Sequence, residues 1–122
     1  MSGKVKAILG YDITEGVSEE EYEAWLWNIH YPDLLANPFL DHIELDTVVR
    51  PITSTSAGTA TAATPVKFER IAELHFAGHE AYASYLEWFK EHPIPRERSP
   101  EGRSDFVFYV LSDVKVARRE DA

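Results

Sequence analysis

The sequence predicts an α+β fold in which four antiparallel strands form one sheet and two helices cover one face of it. Four segments rich in aliphatic and aromatic residues have the length and alternation of strands. Two segments with apolar residues at helical spacing stand between the first and second strands and between the third and fourth. The two helices also resemble each other, because the apolar stripe of the first recurs sixty residues later in the second.

The resulting order, β-α-β-β-α-β, together with the repeated helix, predicts a ferredoxin-like unit. With 122 residues the chain has room for one domain, spanning residues 1–122. A formal charge of -9 disfavours phosphate backbones and anionic lipids, so we expect neither nucleic acid nor membrane partners. The chain has no cysteine, no apolar run long enough to cross a membrane and no basic-then-apolar start. We therefore expect a cytoplasmic protein.

The first strand and the first helix have clear sequence signals. Aliphatic residues predict a strand at Lys4–Tyr11, which a polar turn closes. Ser18 with Glu21 three residues later has the pattern of a capping box, so the helix is predicted to begin there. Pro32 disfavours helical backbone at the residue before it, so the helix is predicted to end at Tyr31. The apolar stripe of this helix consists of Tyr22, Trp25, Leu26 and Ile29.

The second and third strands are predicted at Leu40–Val49 and Lys67–Phe76. Between them, Thr53–Thr64 is small and polar throughout, which predicts a flexible hairpin loop. Alternation assigns one set of apolar side chains to the face that the helices cover. This set consists of Ile43, Leu45, Val49, Phe68, Ala72, Leu74 and Phe76.

The second helix is predicted at about His79–Glu91, directly after Gly78 ends the third strand. The last strand is predicted at Asp105–Leu111, and the tail at about 117–122 is predicted to fray. The stripe of the second helix consists of Tyr82, Tyr85, Leu86 and Phe89.

Two helices leave the other face of the sheet bare. If the hairpin between the second and third strands is centred on its loop, Glu44 lies opposite Glu73 and His42 lies opposite His75. Alternation places all four side chains on the bare face. One interpretation is a solvated face. The other is that a second subunit covers the face and leaves a partly dry cavity with acid-base pairs.

The stretches YEAWLWNIHYPDL and FERIAELHFAGHEAYASYL resemble the dimeric α+β barrel superfamily and, within it, EthD-like and HapK-like proteins. In these proteins the first helix bears an aromatic residue followed by a histidine and a proline. That pattern is matched here by Trp25 or Trp27, by His30 and by Pro32. The resemblance implies sheet-to-sheet homodimers, with a pocket in each subunit between the sheet and the helices or loops. Members include cofactor-free monooxygenases, lactone isomerases, polyketide cyclases and haem enzymes, so the fold does not select a reaction.

His75 is the first candidate for a catalytic base, because Glu73 stands two residues earlier on the same face and can orient the imidazole. His30 is the second candidate. It either decorates a helix end, where the dipole favours a cation, or reaches the pocket as a base or substrate contact. With Tyr31 it is expected to mark the rim of a pocket between helices and sheet. His75 and Glu73 are expected in the interior of that pocket.

Tyr109 and Tyr11 lie on strands that should be neighbours, and either phenol could donate to a carbonyl oxygen or merely cap the core. We assign Tyr109 to the catalytic set and Tyr11 to the substrate-binding set. Trp27 lies off the apolar stripe and is expected to line an aromatic-binding cavity or a dimer seam. The remaining substrate-binding candidates are Tyr31, His42 and Glu44.

These residues predict a small cofactor-independent enzyme that acts on a small aromatic, lactone or polyketide-like metabolite. Acid-base chemistry by histidine, carboxylate and tyrosine suits an isomerisation, a cyclisation or a lyase step. One alternative is a non-catalytic ligand-binding or stress-associated dimer. Another is a metal- or haem-dependent oxidoreductase, since two histidines and two carboxylates on the bare face would suit zinc, iron or manganese. No compact motif such as HExxH supports a metal, so we expect no metal and no other cofactor.

Overall fold

The computed structural model describes residues 4–48 and 69–119. The loop predicted to be flexible, Thr53–Thr64, lies outside these residues, as do Val49, Phe68 and residues 120–122 of the predicted tail. The described residues form one antiparallel sheet with the helices on one face, which confirms the predicted ferredoxin-like fold.

The sheet has four strands in the spatial order β2-β3-β1-β4. They are β1 (Val5–Ile13), β2 (His42–Thr47), β3 (Arg70–Phe76) and β4 (Ser104–Asp113). The central strand β1 pairs antiparallel with β3 on one side and with β4 on the other. Between β2 and β3, Glu44 lies opposite Glu73 and His42 opposite His75, so the predicted register is confirmed.

The first helical region comprises α1 (Glu19–Trp25), a π-helical turn (Leu26–His30) and α2 (Tyr31–Leu35). The second helix is α3 (His79–Glu91), and a short 3₁₀ turn follows it (Arg96–Arg98). The predicted cap is present, because the Glu21 backbone N–H donates to Ser18 Oγ at 3.1 Å. None of the helices in the described ranges is both long and apolar enough to cross a membrane.

The prediction that the first helix ends at Tyr31 is wrong. Tyr31 has helical backbone angles, and its N–H donates to the carbonyl of Leu26, five residues back. A proline inside a regular helix removes a hydrogen bond and its ring crowds the carbonyl four residues earlier. The wider π turn directly before Pro32 relieves this crowding, so the chain continues as α2.

The core lies between the inner face of the sheet and the helices. Val5, Ala7 and Leu9 of β1 and Ala72, Leu74 and Phe76 of β3 alternate inward and are buried. They pack against a set of helical side chains: Tyr22, Trp25, Leu26, Tyr31, Leu34 and Tyr85. The residues between them, Lys6, Ile8, Glu73 and His75, face the other way and are half-buried. We call that side the outer face.

Candidate active site

A cavity of about 390 Å³ lies between the inner face of the sheet and the helices. Its apolar wall includes Leu9, Leu26, Leu34, Leu74, Leu86 and Phe89. Its polar groups come from one imidazole, five phenols and one hydroxyl: His30, Tyr11, Tyr22, Tyr31, Tyr85, Tyr109 and Ser104. Such a wall suits a small, mostly apolar molecule with few polar atoms.

The cavity opens beside the edge strand β4. Phe106 and Tyr109 line the cavity, yet they are 48% and 52% exposed. The hydroxyl end of Tyr109 is nevertheless desolvated, which raises the pKa of its phenol. Burial raises the pKa of the Tyr85 phenol, and the nearby Tyr109 hydroxyl raises it further.

The candidate residues from the sequence divide between the two sides of the sheet. His30, Tyr31, Tyr11 and Tyr109 line the cavity. The cavity wall does not include Trp27, His42, Glu44, Glu73 or His75.

The expectation that His75 and Glu73 form the interior of this cavity is wrong. On β3, Ala72 and Leu74 point inward and line the cavity, so Glu73 and His75 between and beside them point outward. Any role of this pair in catalysis would therefore be exercised on the outer face.

Among the described residues, His30 is the only one that brings an imidazole to the wall of the cavity. Its ring stacks on the Trp25 indole with centroids 4.6 Å apart, and its Nδ1 is buried without a hydrogen-bond partner among the described residues. Burial lowers the pKa of His30 from 6.5 to about 4, an effect that the Asp33 carboxylate opposes and the Arg103 guanidinium reinforces. The imidazole is therefore neutral at pH 7 and has a lone pair that can accept a proton.

Tyr31 brings a second unsatisfied group to the cavity. Its hydroxyl is buried and makes no hydrogen bond of good geometry within the described residues. Burial raises the pKa of Tyr31, and the nearby Tyr11 hydroxyl opposes this with a smaller effect. Burial also raises the pKa of Tyr11. Both phenols keep their protons at neutral pH and remain hydrogen-bond donors.

Tyr22, Tyr85 and Ser104 are cavity residues that the sequence did not identify as functional. Tyr22 and Tyr85 were assigned to apolar helix stripes, although a phenol on a stripe is a signal that a polar group enters the core. The Tyr22 hydroxyl and Ser104 Oγ are 2.6 Å apart, a hydrogen bond that joins α1 to the start of β4. No local pattern around Ser104 indicates this contact, because its partner is 82 residues away.

A buried arginine with partly exposed glutamate partners also supports the cavity wall at Tyr22. Arg70 is only 4% exposed, pairs with the Glu23 carboxylate and lies 3.5 Å from Glu19 Oε1. Its guanidinium carbon is 5.5 Å from the centre of the Tyr22 ring. A buried arginine needs such partners, because leaving either charge alone would be costly. The pair fixes α1 and the Tyr22 ring against β3.

A bidentate ion pair outside the cavity fastens the segment after α3 to α2. Arg98 Nε and Nη2 donate to the two carboxylate oxygens of Asp33, each at 2.8 Å. The Arg98 carbonyl accepts from the Trp25 indole N–H at 3.1 Å. These contacts hold the segment after α3 against α1 and α2, so the cavity wall around His30 is preorganised.

Trp27 lies outside the cavity. Its side chain is 54% exposed, its indole N–H donates to Glu23 Oε2 at 2.8 Å, and its ring meets the Tyr31 ring edge-on at 5.0 Å. The expectation that Trp27 lines an aromatic-binding cavity is wrong for this cavity. Its position in the π-helical turn directs it outward while Leu26 points in. It supports the Tyr31 ring from behind.

On the outer face, two histidines and two glutamates form a second polar group, which we call the outer-face cluster: His42, Glu44, Glu73 and His75. The two imidazole rings stack at 4.2 Å between centroids and 12° between planes. His42 Nε2 is 3.0 Å and His75 Nε2 3.5 Å from Glu44 Oε2. Hydrogen bonds that the His42 ring donates to the carboxylates of Asp41 and Glu44 raise the pKa of His42.

No protein-family model and no curated protein matches the sequence. Solved structures do match over nearly the whole chain. An EthD-like protein from Ralstonia eutropha JMP134 has a TM-score of 0.62 at 16% identity, covering 98% of this chain and 99% of that one. SnoaB from Streptomyces nogalater, a cofactor-independent oxygenase, has a TM-score of 0.59 at 12% identity, covering 97% and 99%. HapK from Hahella chejuensis has a TM-score of 0.56 at 7% identity, covering 93% and 95%.

At these identities the likeness shows the fold. The resemblance to EthD-like and HapK-like proteins that the sequence suggests is thus confirmed at the level of the fold.

Proposed function

We propose that the chain is an enzyme that binds a small, largely apolar aromatic or polyketide-like molecule in the cavity and transfers a proton on it without a cofactor. The observation that carries this proposal is a pair of buried polar atoms in the cavity wall, His30 Nδ1 and the Tyr31 hydroxyl, that have no hydrogen-bond partner among the described residues. An unsatisfied buried polar atom costs roughly 1–3 kcal/mol. A ligand with polar atoms at both positions recovers that cost on binding.

The general base in this proposal is His30. Its low pKa keeps the imidazole unprotonated at pH 7, as a base must be before it acts. The same burial makes imidazole a weak base in the empty cavity. A substrate that becomes an anion beside the ring reverses this, because the anion and the imidazolium then stabilise each other at low dielectric. The base is therefore strengthened by the charge that its own reaction creates.

Removal of a proton next to a carbonyl group produces an enolate whose oxygen bears the negative charge. The phenols of Tyr11 and Tyr31 stay protonated and lie in the cavity wall, so they are suited to donate to that oxygen. Donors held ready in a dry site stabilise such an oxyanion far more than water does. An enolate of this kind begins isomerisation, cyclisation and some lyase reactions. It is also an electron-rich species of the kind an oxygenation needs, the activity named for SnoaB.

A homodimer would complete the site. The edge strand β4 exposes apolar side chains on both faces, namely Phe106, Val107, Tyr109, Val110 and Leu111, each at least 41% exposed. Exposed apolar edge strands of this kind favour association with another chain. A partner that covered β4 would also shield the mouth of the cavity beside Phe106 and Tyr109. We expect at least ~1,200 Å² of buried surface and a dimeric mass in light scattering at micromolar concentration. A monomeric mass would contradict the dimer.

The proton-transfer proposal is tested by hydrogen exchange on a simple two-ring ketone. β-Tetralone in D₂O, followed by NMR, reports the removal of the proton next to its carbonyl group without knowledge of the natural substrate. The protein should accelerate exchange above the buffer rate, and His30→Gln should lower the catalysed rate by about 10²–10⁴-fold. His92→Gln is the matched control, because His92 is exposed and contacts the Trp88 carbonyl, away from the cavity.

Each outcome separates one part of the proposal. Exchange that survives in His30→Gln, with circular dichroism showing a folded protein, would remove His30 as the base. Saturable binding of the ketone with no exchange in either protein would favour the ligand-binding alternative over the enzyme. Absence of both binding and exchange across a panel of aromatic ketones and lactones would overturn the assignment of the cavity as a substrate site.

A further inference from the structure

We propose that the outer-face cluster binds a divalent transition-metal cation, with zinc the best fit, through His42, Glu44 and His75. The cation site is separate from the cavity, because β3 lies between the two. His75 and Glu73 point away from the helices, whereas Leu74 between them lines the cavity.

The donor atoms already have the spacing of a coordination shell. The ligand atoms of His42, Glu44 and His75 all lie within 4.8 Å of one another. Glu44 Oε2 is 3.0 Å from His42 Nε2 and 3.5 Å from His75 Nε2. In a tetrahedral zinc site with bonds of roughly 2.0–2.1 Å, neighbouring donor atoms are about 3.3 Å apart. The two rings, now stacked, must tilt toward a common point for both lone pairs to reach the cation.

Asp41 orients the ring of His42 for metal binding. Asp41 Oδ2 lies 2.5 Å from His42 Nδ1, so Nδ1 is held as an N–H donor. Nε2 faces Glu44 Oε2 at 3.0 Å, and a cation placed between them would take the position of the proton that this contact otherwise shares and would use the Nε2 lone pair. Carboxylates placed in this way behind a ligating histidine orient the ring and raise its basicity. This contact is independent of the distances within the cluster, and it directs the same nitrogen toward the same point.

The fourth position can be filled by Glu73 or by a water molecule. Glu73 Oε1 is 3.0 Å from His75 Nε2, so its carboxylate is within reach of a cation held by the other three residues. Lys6 Nζ pairs with the other oxygen of Glu73 at 3.1 Å, which holds that carboxylate in place while reducing its charge. Two imidazole nitrogens and one carboxylate with a fourth, exchangeable position make a donor set that zinc accepts readily.

The test is a titration of the full chain with zinc alone, followed by isothermal calorimetry. We expect one site per chain, with affinity reduced at least tenfold in His42→Gln and in Glu44→Gln. Glu44 is an exposed side chain whose replacement should leave the fold intact. His79→Gln is the matched control, because His79 also contacts a carboxylate, Asp113 Oδ1 at 2.7 Å, but the described part of the chain places no third donor beside this pair. That variant should bind zinc as the wild type does.

Cobalt(II) supplies a readout of geometry. A three-residue site with a fourth ligand should give the intense visible absorption of tetrahedral cobalt, and this absorption should be lost in His75→Gln. Equal, weak zinc binding by the wild type and the three variants in the cluster would overturn the proposal. So would an equal loss of affinity in His79→Gln, since that result would mean scattered surface binding.

Discussion

The cavity and the outer-face cluster lie on opposite sides of β3 and place imidazole in opposite environments. His30 is packed on an indole with an unpartnered nitrogen, and burial lowers its pKa to about 4. His42 is largely exposed and lies between two carboxylates that raise its pKa. The first environment keeps a histidine uncharged and available to a ligand, and the second gathers several donors for a cation. The two histidine environments are thereby separated by a single layer of strands.

The difference between the two faces should be largest in packing. Leu74→Ala on the inner face removes a side chain that is 4% exposed, so it should cost about 2–5 kcal/mol in the free energy of unfolding. Ile71→Ala, on the outer face of the same strand, removes a half-buried side chain and should cost less than half as much. Urea denaturation of both variants measures the difference. A different result would be that the two variants lose the same free energy of unfolding, with a loss that becomes smaller when the protein is diluted tenfold. That result would show that a partner subunit buries the outer face.

The environment of His30 should be visible in the pH dependence of stability. Its pKa is about 4 in the folded protein and near 6.5 when unfolded, so between these values the unfolded chain binds more protons. The stability contributed by neutral His30 is complete above pH 6.5 and is lost as the pH falls toward 4. From pH 7 to pH 4 the wild type should lose about 3 kcal/mol more than His30→Gln, since each pKa unit is worth about 1.36 kcal/mol.

Urea midpoints at pH 7, 5.5 and 4 measure this loss. The carboxylates other than Asp33 titrate equally in both proteins, so the difference between them isolates His30 together with its interaction with Asp33. Parallel curves for the two proteins would mean that the imidazole is solvated in the folded state and that the cavity does not keep it neutral.

A smaller effect is expected at the contact between Gly10 and Phe108 in the sheet. A Cβ at Gly10 would lie 2.2 Å from Phe108 Cε2, so the ring must move in Gly10→Ala. Overpacking of this kind costs typically ~1–3 kcal/mol. In a Phe108→Ala background the same change should cost less than half as much, because the crowded ring is gone. Thermal melts of the four proteins form a double-mutant cycle, and an unchanged cost in both backgrounds would place the strain in the backbone.

The fold and one register were predictable because they rest on patterns that the chain repeats. Apolar spacing predicts both helices, and Ser18 with Glu21 predicts the start of the first. The pairing of Glu44 with Glu73 follows from centring the hairpin on its loop. The helix signals are local, and the register depends only on the midpoint of one loop.

The candidate site was harder to predict, because it depends on which face each strand turns toward the helices. Alternation correctly directed His75 away from the helices, and the expectation that it lines the cavity contradicted that alternation. The polar lining at Tyr22 and Ser104 was missed because their contact joins α1 to β4, and residue type alone assigns Tyr22 to the core. The end of the first helix was misplaced because the rule for Pro32 assumes a regular helix before it.

The π-helical turn has a consequence for how the cavity can change over generations. Leu26 and Tyr31 both point inward, although they are five residues apart, because the turn contains one residue more than a regular helix needs. Deleting one codon in this turn, for example that of the exposed Asn28, would leave Leu26 and Tyr31 four residues apart, the spacing at which a regular helix directs two side chains to the same side. The cavity wall would keep its direction, but Pro32 would then follow a regular turn, and its ring would crowd the carbonyl four residues earlier. A lineage that lost the extra residue would therefore keep this lining at no cost only if it also replaced the proline.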